Sequence, residues 1–203
     1  SDLQYGVMRT AFLTAFPKIF TDIEYSESIF LYMKKLSLSK GFSFSPELFN
    51  NQMALEIEAR HKALNNELNK YITNDTLVIE IAAGLSPRRL QFEKYNYIEM
   101  DFEPIVNIKR DIYKKMKKPY NSLVSVDLSN KDEFQKKLEN IVNKKRYSKI
   151  IILNEGLFWY LTKEEILQMT KVIKSALTTK EWLWITSDCP VDSKIEDDYR
   201  KVI

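Results

Sequence analysis

The sequence predicts an α/β protein built on a doubly wound parallel sheet, and three observations favour this class. From residue 76 onward the chain contains five short runs rich in β-branched and aromatic residues, and these runs are almost continuously apolar. Such runs are typical of strands that are buried on both faces of a sheet. Helical patterns lie between the runs, as expected for βαβ units. The residues before 76 are helical in pattern throughout.

The five predicted strands are TLVIEIAAG, YNYIEMD, SLVSVDL, KIIILNEG and EWLWITSD, which begin at residues 76, 95, 122, 149 and 181. Apolar residues at helical spacing predict helices over 103–116, 131–146 and 162–177, and Thr162 with Glu165 forms a capping box at the start of the last one. About ten residues separate the first two strands. A parallel crossover is usually longer, so its helix must be very short or irregular.

Three helical segments precede the sheet. Apolar residues from Leu3 to Ala15 lie at helical spacing, and Pro17 disturbs the end of this segment. A second short helix is predicted over 26–36. A long third helix is predicted over 45–72, with Ser45 as its N-cap and a proline at its first helical position.

Composition excludes several functional classes. The 203 residues carry 31 basic and 28 acidic side chains in interleaved order, so no concentrated basic face for nucleic acid is expected. Cys189 is the one cysteine, which rules out an intrachain disulfide and fits the cytoplasm. No apolar run approaches the roughly 20 residues needed to cross a bilayer, so no membrane association is expected. One cysteine and one histidine make a metal site improbable.

Carboxylates close the predicted strands, and ligands of open α/β sheets bind at this edge. The acidic residues are Glu80, Asp101, Asp127, Glu155 and Asp188. Such an edge repels a phosphate and favours a cationic ligand that carries hydroxyls and an amine. The first turn contains one glycine where a dinucleotide site needs three. The sequence therefore predicts a cationic, hydroxyl-bearing ligand that has no pyrophosphate.

Three motifs resemble those of a known family. VIEIAAGLSPRRL, YIEMDFEPIVNIK and NEGLFWYLTKEEI are similar to the first-, second- and fourth-strand motifs of the leucine carboxyl methyltransferases and their polyketide-type O-methyltransferase relatives. The resemblance runs from Arg9 to Asp188. It implies a Rossmann-like methyltransferase sheet that binds S-adenosylmethionine (SAM). Ser86 and Pro87 depart from the family pattern of Asp-Thr, which puts the path of this loop in doubt.

The resemblance implies roles at the methionine end of SAM. Arg60 would pair with the methionine carboxylate, a role that suits a guanidinium fork, and Arg9 would be a second candidate. Glu155 would lie near the amine or the sulfonium. Glu80 is also assigned to the cofactor site. Its alternative is an ion-paired core residue, because a buried carboxylate needs a partner in either case.

The resemblance also implies the nucleoside contacts. Gly84 and the backbone around Ala82 would pass beneath the methionine and ribose. Asp101 would accept both ribose hydroxyls. Asp127 would accept the adenine amino group, and Leu128 would pack on the ring.

The residues leave the acceptor open. No Ser-His or Cys-His pair is evident, and the scarcity of histidine favours transfer to an already acidic oxygen, a carboxylate or phenol of a small metabolite. Tyr160 and Asp188 are the candidate bases if one is needed, whereas His61 is interpreted as a satisfied or surface residue. The alternatives are methylation of a protein's C-terminal carboxylate and a non-catalytic SAM-binding module. The lone glycine argues against a dehydrogenase.

We expect an N-terminal helical cap over 1–74, contributing to the cofactor and acceptor sites, and a SAM-binding core over 75–203. The lysine-rich segment 109–119 is expected to form a solvated helix face. The resemblance implies two further strands after residue 188. Either the chain is a truncated form, the family's tail is absent, or the assigned strand register is wrong.

Overall fold

A computed structural model describes Ala11 and residues 14–39 and 51–188, without the side chains of 36–39 and 51. Its helices are α1 (Ser26–Ser39), α2 (Asn51–Asn69), α3 (Arg88–Gln91), α4 (Glu103–Lys115), α5 (Lys131–Val142) and α6 (Lys163–Ala176). Its strands are β1 (Thr76–Ile81), β2 (Asn96–Asp101), β3 (Leu123–Ser125), β4 (Lys149–Asn154) and β5 (Trp182–Thr186). Single 3₁₀ turns cover Pro17–Phe20 and Phe158–Tyr160.

The five strands form one parallel sheet in the order β3-β2-β1-β4-β5. The chain winds from β1 outward through β2 to β3, and then crosses to β4 and β5 on the other side of β1. The direction of winding therefore reverses between β1 and β4. In this class of sheet, ligands bind in the crevice at the carboxyl ends of these two strands.

Both faces of the sheet are covered by helices. Alternate residues Leu77 and Ile79 of β1 pack in one core with Phe134 of α5 and Ile173 of α6. On the opposite face, Val78 packs in a second core that also contains residues of α2 and β4, among them Leu64, Leu68 and Ile151. A third core joins α1 to α4 and includes Ile29, Met33, Ile105 and Ile112. The doubly wound architecture predicted from the sequence is confirmed.

The local predictions are largely confirmed as well. All five predicted strands form, and the short crossover contains the four-residue helix Arg88–Gln91. The Thr162 side chain accepts a hydrogen bond from the Glu165 amide, which completes the predicted capping box. The predicted first helix lies mostly outside the described residues, as do residues 45–50 of the third and all residues beyond 188.

Within the segment 1–74, for which a helical cap is predicted, α2 packs on the sheet. Leu64 and Leu68 of α2 are buried in the same core as Val78 of β1, so α2 is a covering layer of the sheet. This position brings the helix that carries Arg60 directly onto the strands that form the edge.

One prediction on segment 109–119 is wrong. Lys109 was expected on a solvated helix face, but it is 1% exposed and forms an ion pair with the equally buried Glu99 of β2. Tyr113 also donates to Glu99, at 2.9 Å. The register of α4 turns Lys109 toward the sheet, where a carboxylate already requires a partner.

Candidate cofactor site

The turn after β1 is held against the end of β2. The Gly84 amide donates a hydrogen bond of 2.6 Å to Oδ2 of Asp101. Ala82 and Gly84 both adopt positive φ, at 52° and 50°. A Cβ atom placed on Gly84 would meet no heavy atom within 4 Å. The turn therefore passes close to Asp101 and leaves open space on its outer side.

Asp101 is fixed by the backbone alone. Its Oδ1 accepts a hydrogen bond of 2.7 Å from the Phe102 amide, while Oδ2 accepts from Gly84. Burial raises the pKa of this carboxyl, although the two amide hydrogen bonds lower it in part. Each carboxylate oxygen can accept two hydrogen bonds, so both retain capacity for a ligand.

Arg60 and Glu155 meet across the switch point. Nε of Arg60, on α2, donates to Oε1 of Glu155, which follows β4, at 3.2 Å. The Arg60 side chain remains 29% exposed. Its terminal nitrogen Nη2 lies 3.8 Å from where a Cβ on Gly156 would stand. The partly exposed guanidinium thus borders the loop after β4.

Arg88 is fully buried beneath this pair. Its Nη2 donates to Oε2 of Glu155 at 2.6 Å, and Nη1 pairs with Oε1 of Glu80. Its Nε donates to Asn65 at 2.7 Å, and Nη2 lies 3.0 Å from Nδ1 of His61. One guanidinium therefore joins β1, α2 and the end of β4.

These charges decide the ionisation of Glu155. Burial alone would raise its pKa, but Arg88, the nearby ring of His61 and the nearby Lys18 outweigh burial and hold the pKa well below its usual range. Burial lowers the pKa of His61, with smaller opposing contributions from Glu155. His61 is therefore a neutral, satisfied residue at neutral pH, in agreement with the interpretation from sequence.

Both oxygens of Glu80 are engaged by the protein. Oε1 pairs with Arg88, and Oε2 accepts a hydrogen bond of 2.8 Å from the Tyr97 hydroxyl. The side chain is 1% exposed. These contacts favour the ion-paired core residue over the ligand role, which stays a prediction.

The predicted adenine contacts lie one strand further along the edge. The Val126 amide donates to the Asp101 carbonyl at 2.8 Å, which places the following Asp127 beside the end of β2. Oδ1 of Asp127 accepts hydrogen bonds from the amide and hydroxyl of Ser129 at 2.9 and 2.7 Å. Leu128 packs partly buried against the core of the sheet. The Oδ2 atom of Asp127 has no partner among the described residues.

The two candidate bases differ in their surroundings. Asp188 is buried, and its carboxylate accepts from the amides of Gly156 and Leu157 at 2.7 Å and from Asn154 Nδ2 at 2.7 Å. Tyr160 is 46% exposed, and partial burial of its hydroxyl raises its pKa. The contacts of Asp188 favour an anchor for the loop over a proton acceptor.

The edge is less acidic than the sequence pattern indicates. Arg88 and Arg60 together offset Glu80 and Glu155, while Lys109 offsets Glu99. No salt bridge to Asp101, Asp127 or Asp188 is formed within residues 14–39 and 51–188. The uncompensated charge is therefore confined to the ends of β2, β3 and β5.

Sequence reasoning missed the buried cations. Arg88 stands eight residues after Glu80 on a helix of four residues, where no periodic pattern marks a buried face. The requirement that Glu80 have a partner was the available signal. Lys18, in the turn Pro17–Phe20, is also buried, and burial lowers its pKa despite the nearby Glu155.

The family model described as leucine carboxyl methyltransferase matches residues 27–174. The match covers most of the chain, including α2 to α5, nearly all of α1 and α6, and the first four strands. The chain belongs to the leucine carboxyl methyltransferase family. No curated protein matches the sequence.

Membership of the leucine carboxyl methyltransferase family implies a SAM-dependent methyltransferase with the Rossmann-like sheet seen here. The geometry fits such a cofactor at the switch point. Gly84 borders open space, Asp101 has acceptor capacity for a diol, and Arg60 presents terminal nitrogens suited to a carboxylate. Arg9, the second predicted carboxylate partner, lies outside the described residues.

No helix in the described part of the chain is long and apolar enough to cross a membrane. The described side chains also include no group of three or more His, Cys, Asp and Glu placed to hold a metal ion.

Proposed function

We propose that the protein transfers a methyl group from SAM to an acidic oxygen, a carboxylate or a phenol, of a small metabolite. The observation that carries the proposal is the pairing of Gly84 with Asp101 beside open space at the switch point. A glycine at positive φ allows close approach of a ligand to the backbone, and the neighbouring carboxylate provides acceptors for hydroxyls.

The nucleoside would be held by the ends of β2 and β3. Both oxygens of Asp101 are oriented by backbone amides, so the carboxylate is fixed before a diol binds. Asp127 lies at the end of the adjacent strand with Oδ2 available for an amino group. Leu128, next to it, supplies an apolar side chain for the adenine ring.

The amino-acid tail would be held from the β4 side. Glu155 accepts from Nε of Arg60 and leaves the terminal nitrogens of the guanidinium for a carboxylate, the bidentate geometry that arginine favours. The ionised Glu155 would also offer a fixed negative charge to the amine of the tail. Fixing both ends of the molecule would place the reacting carbon between them.

SAM supplies a methyl group on a positively charged sulfur, so the chain has to position the acceptor oxygen and exclude water. An acidic acceptor needs no strong base, and the candidate side chains agree with this. Asp188 is committed to loop amides, and the raised pKa of Tyr160 keeps its hydroxyl protonated at neutral pH. Tyr160 can then donate a hydrogen bond to an acceptor oxyanion.

Calorimetric titration with SAM, S-adenosylhomocysteine (SAH) and NAD tests the cofactor. We expect the first two to bind and NAD not to bind. Asp101→Ala and Arg60→Ala should each weaken SAM binding by about 1.5–3 kcal/mol, the usual range for a hydrogen bond to a charged group. Wild-type affinity in either variant would remove that residue from the site.

Methyl release from labelled SAM tests the acceptor class. We expect turnover with members of a panel of small carboxylic acids and phenols. Turnover only with peptides that end in a free carboxylate would indicate a protein C-terminal methyltransferase instead. SAM binding without turnover on any acceptor would indicate a non-catalytic module.

A further inference from the structure

We propose that Arg88 is a positioning residue that sets the place of Arg60 through Glu155 and thereby determines affinity for the amino-acid tail of the cofactor. This inference rests on the proposed function, because it assigns Arg60 to that tail. Arg88 itself is 0% exposed, so it does not contact a ligand from the accessible side.

The orientation of Arg88 is fixed on every side by groups that are themselves held. Glu80, which pairs with Nη1, also accepts from the Tyr97 hydroxyl of β2 at 2.8 Å. Asn65, which accepts from Nε, donates to Gln91 at 2.8 Å. His61 lies 3.0 Å from the same Gln91 oxygen. The guanidinium plane is therefore set by contacts from β1 and α2, and the β1 contact is itself held by β2.

Glu155 connects the buried Arg88 to the partly exposed Arg60. Its Oε2 accepts from Arg88 at 2.6 Å, and its Oε1 accepts from Arg60 at 3.2 Å. One carboxylate oxygen thus binds a buried arginine, and the other binds an arginine whose side chain is 29% exposed. A rotation of Glu155 would move Arg60, whereas Asp101 and Gly84, which bond to each other, share no described hydrogen bond or ion pair with Arg88 or Glu155.

A buried ion pair alone is weak grounds for a role beyond folding, because desolvation offsets much of its attraction. A purely structural Arg88 would support the whole pocket equally. The proposed role has a narrower consequence. A substitution of Arg88 lowers the affinity for ligands that carry the amino-acid tail and leaves the affinity for ligands without it unchanged.

The test compares two ligands by calorimetry. SAH carries the tail, and 5′-methylthioadenosine keeps the nucleoside without it. Arg88→Lys retains the positive charge and removes the fork that spans Glu80 and Glu155. We expect the Kd for SAH to rise roughly tenfold or more, while that for 5′-methylthioadenosine stays within about twofold.

Arg89→Lys is the matched control. It makes the same substitution one position along, at a side chain that is 7% exposed and whose Nε has no hydrogen-bond partner among the described residues. We expect the ratio of the two dissociation constants to remain at the wild-type value in this control.

Equal weakening of both ligands by Arg88→Lys, or no change in SAH, overturns the inference and leaves the proposed cofactor intact. Should that variant fail to fold by circular dichroism, Asn65→Ala decides, because it removes one bond to Arg88 and keeps every charge. A selective loss of SAH affinity supports the inference, and an unchanged ratio contradicts it. A wild-type protein that binds neither ligand overturns both this inference and the proposed function.

Discussion

Asp101 carries the pH dependence expected of cofactor binding. Its pKa is raised by burial, so it takes up a proton at a higher pH than an ordinary aspartate, whose value is 3.8. A protonated carboxyl is a poorer acceptor for two hydroxyls. We predict that SAH affinity falls on acidification, beginning above pH 3.8, when titrated calorimetrically across pH.

The control for this pH dependence is Asp101→Asn, which cannot titrate and should bind weakly with a flat profile. Affinity of the wild type that stays constant down to pH 3.8 would contradict the assignment.

A substitution of Gly84 is expected to affect the stability of the protein and its ligand binding for two different reasons. Its φ is +50°, so an alanine there should lower the free energy of unfolding by about 1–2 kcal/mol, the usual penalty for a Cβ in this conformation. Apart from its two chain neighbours, the added methyl meets no atom of the described residues within 4 Å, so it would occupy the space proposed for the ligand. We expect Gly84→Ala to weaken SAH at least about tenfold, a loss of about 1.4 kcal/mol, by calorimetry.

Urea unfolding measures the first effect of Gly84→Ala independently of the second. Wild-type SAH affinity in a destabilised Gly84→Ala protein would place the ligand elsewhere.

For single residues, the sequence predicted the positions of the carboxylates better than it predicted which cations pair with them. Asp101 and Glu155 follow apolar runs, so their positions at the edge could be inferred from the strands. Arg88 and Lys109 could not, because a charged residue on a short or lysine-rich helix is usually solvated. Their burial depends on which carboxylate the fold brings beside them, and that is a tertiary property.

The loop between β4 and α6 is held by hydrogen bonds to Asp188, which lies two residues after the end of β5. Asp188 accepts from the amides of Gly156, Leu157 and Phe158 at 2.7, 2.7 and 3.0 Å. Removing the carboxylate would leave several buried donors unpaired, each of which costs about 1–3 kcal/mol. We predict that Asp188→Ala lowers the free energy of unfolding by about 3 kcal/mol or more in urea titrations.

Asp127→Ala is the comparison for Asp188→Ala, because Asp127 is half-buried and, within the described part of the chain, accepts only from Ser129. We expect it to cost about 1 kcal/mol or less. Equal effects of the two substitutions would contradict the anchoring role of Asp188.

The elements themselves were predictable because their patterns are strong. β1 and β4 are buried along nearly their whole length, and a continuous apolar run carries that information in the sequence. The four-residue helix α3 was predictable only through the shortness of its crossover. The packing of α2 on the sheet was not predicted, because an apolar stripe indicates a buried face without naming the surface that covers it.

For the whole molecule, the arrangement of charge matters more than its total. The net charge is +3, and the cations Arg60, Arg88 and Lys109 together offset Glu80, Glu99 and Glu155 within the protein. The switch point then presents the Asp101 carboxylate on the β2 side and, on the β4 side, the guanidinium of Arg60 that Glu155 holds. This separation suits a ligand with a diol at one end and an amino acid at the other. It supports the proposed orientation of SAM, with the ribose at Asp101 and the amino-acid tail at Arg60.

A crystal structure of the protein with bound SAH tests this account most directly. We expect the ribose hydroxyls on Asp101, the nucleoside passing over Gly84, and the tail carboxylate on Arg60. Binding at another part of the sheet, or in the reverse orientation with the ribose at Arg60, would contradict it.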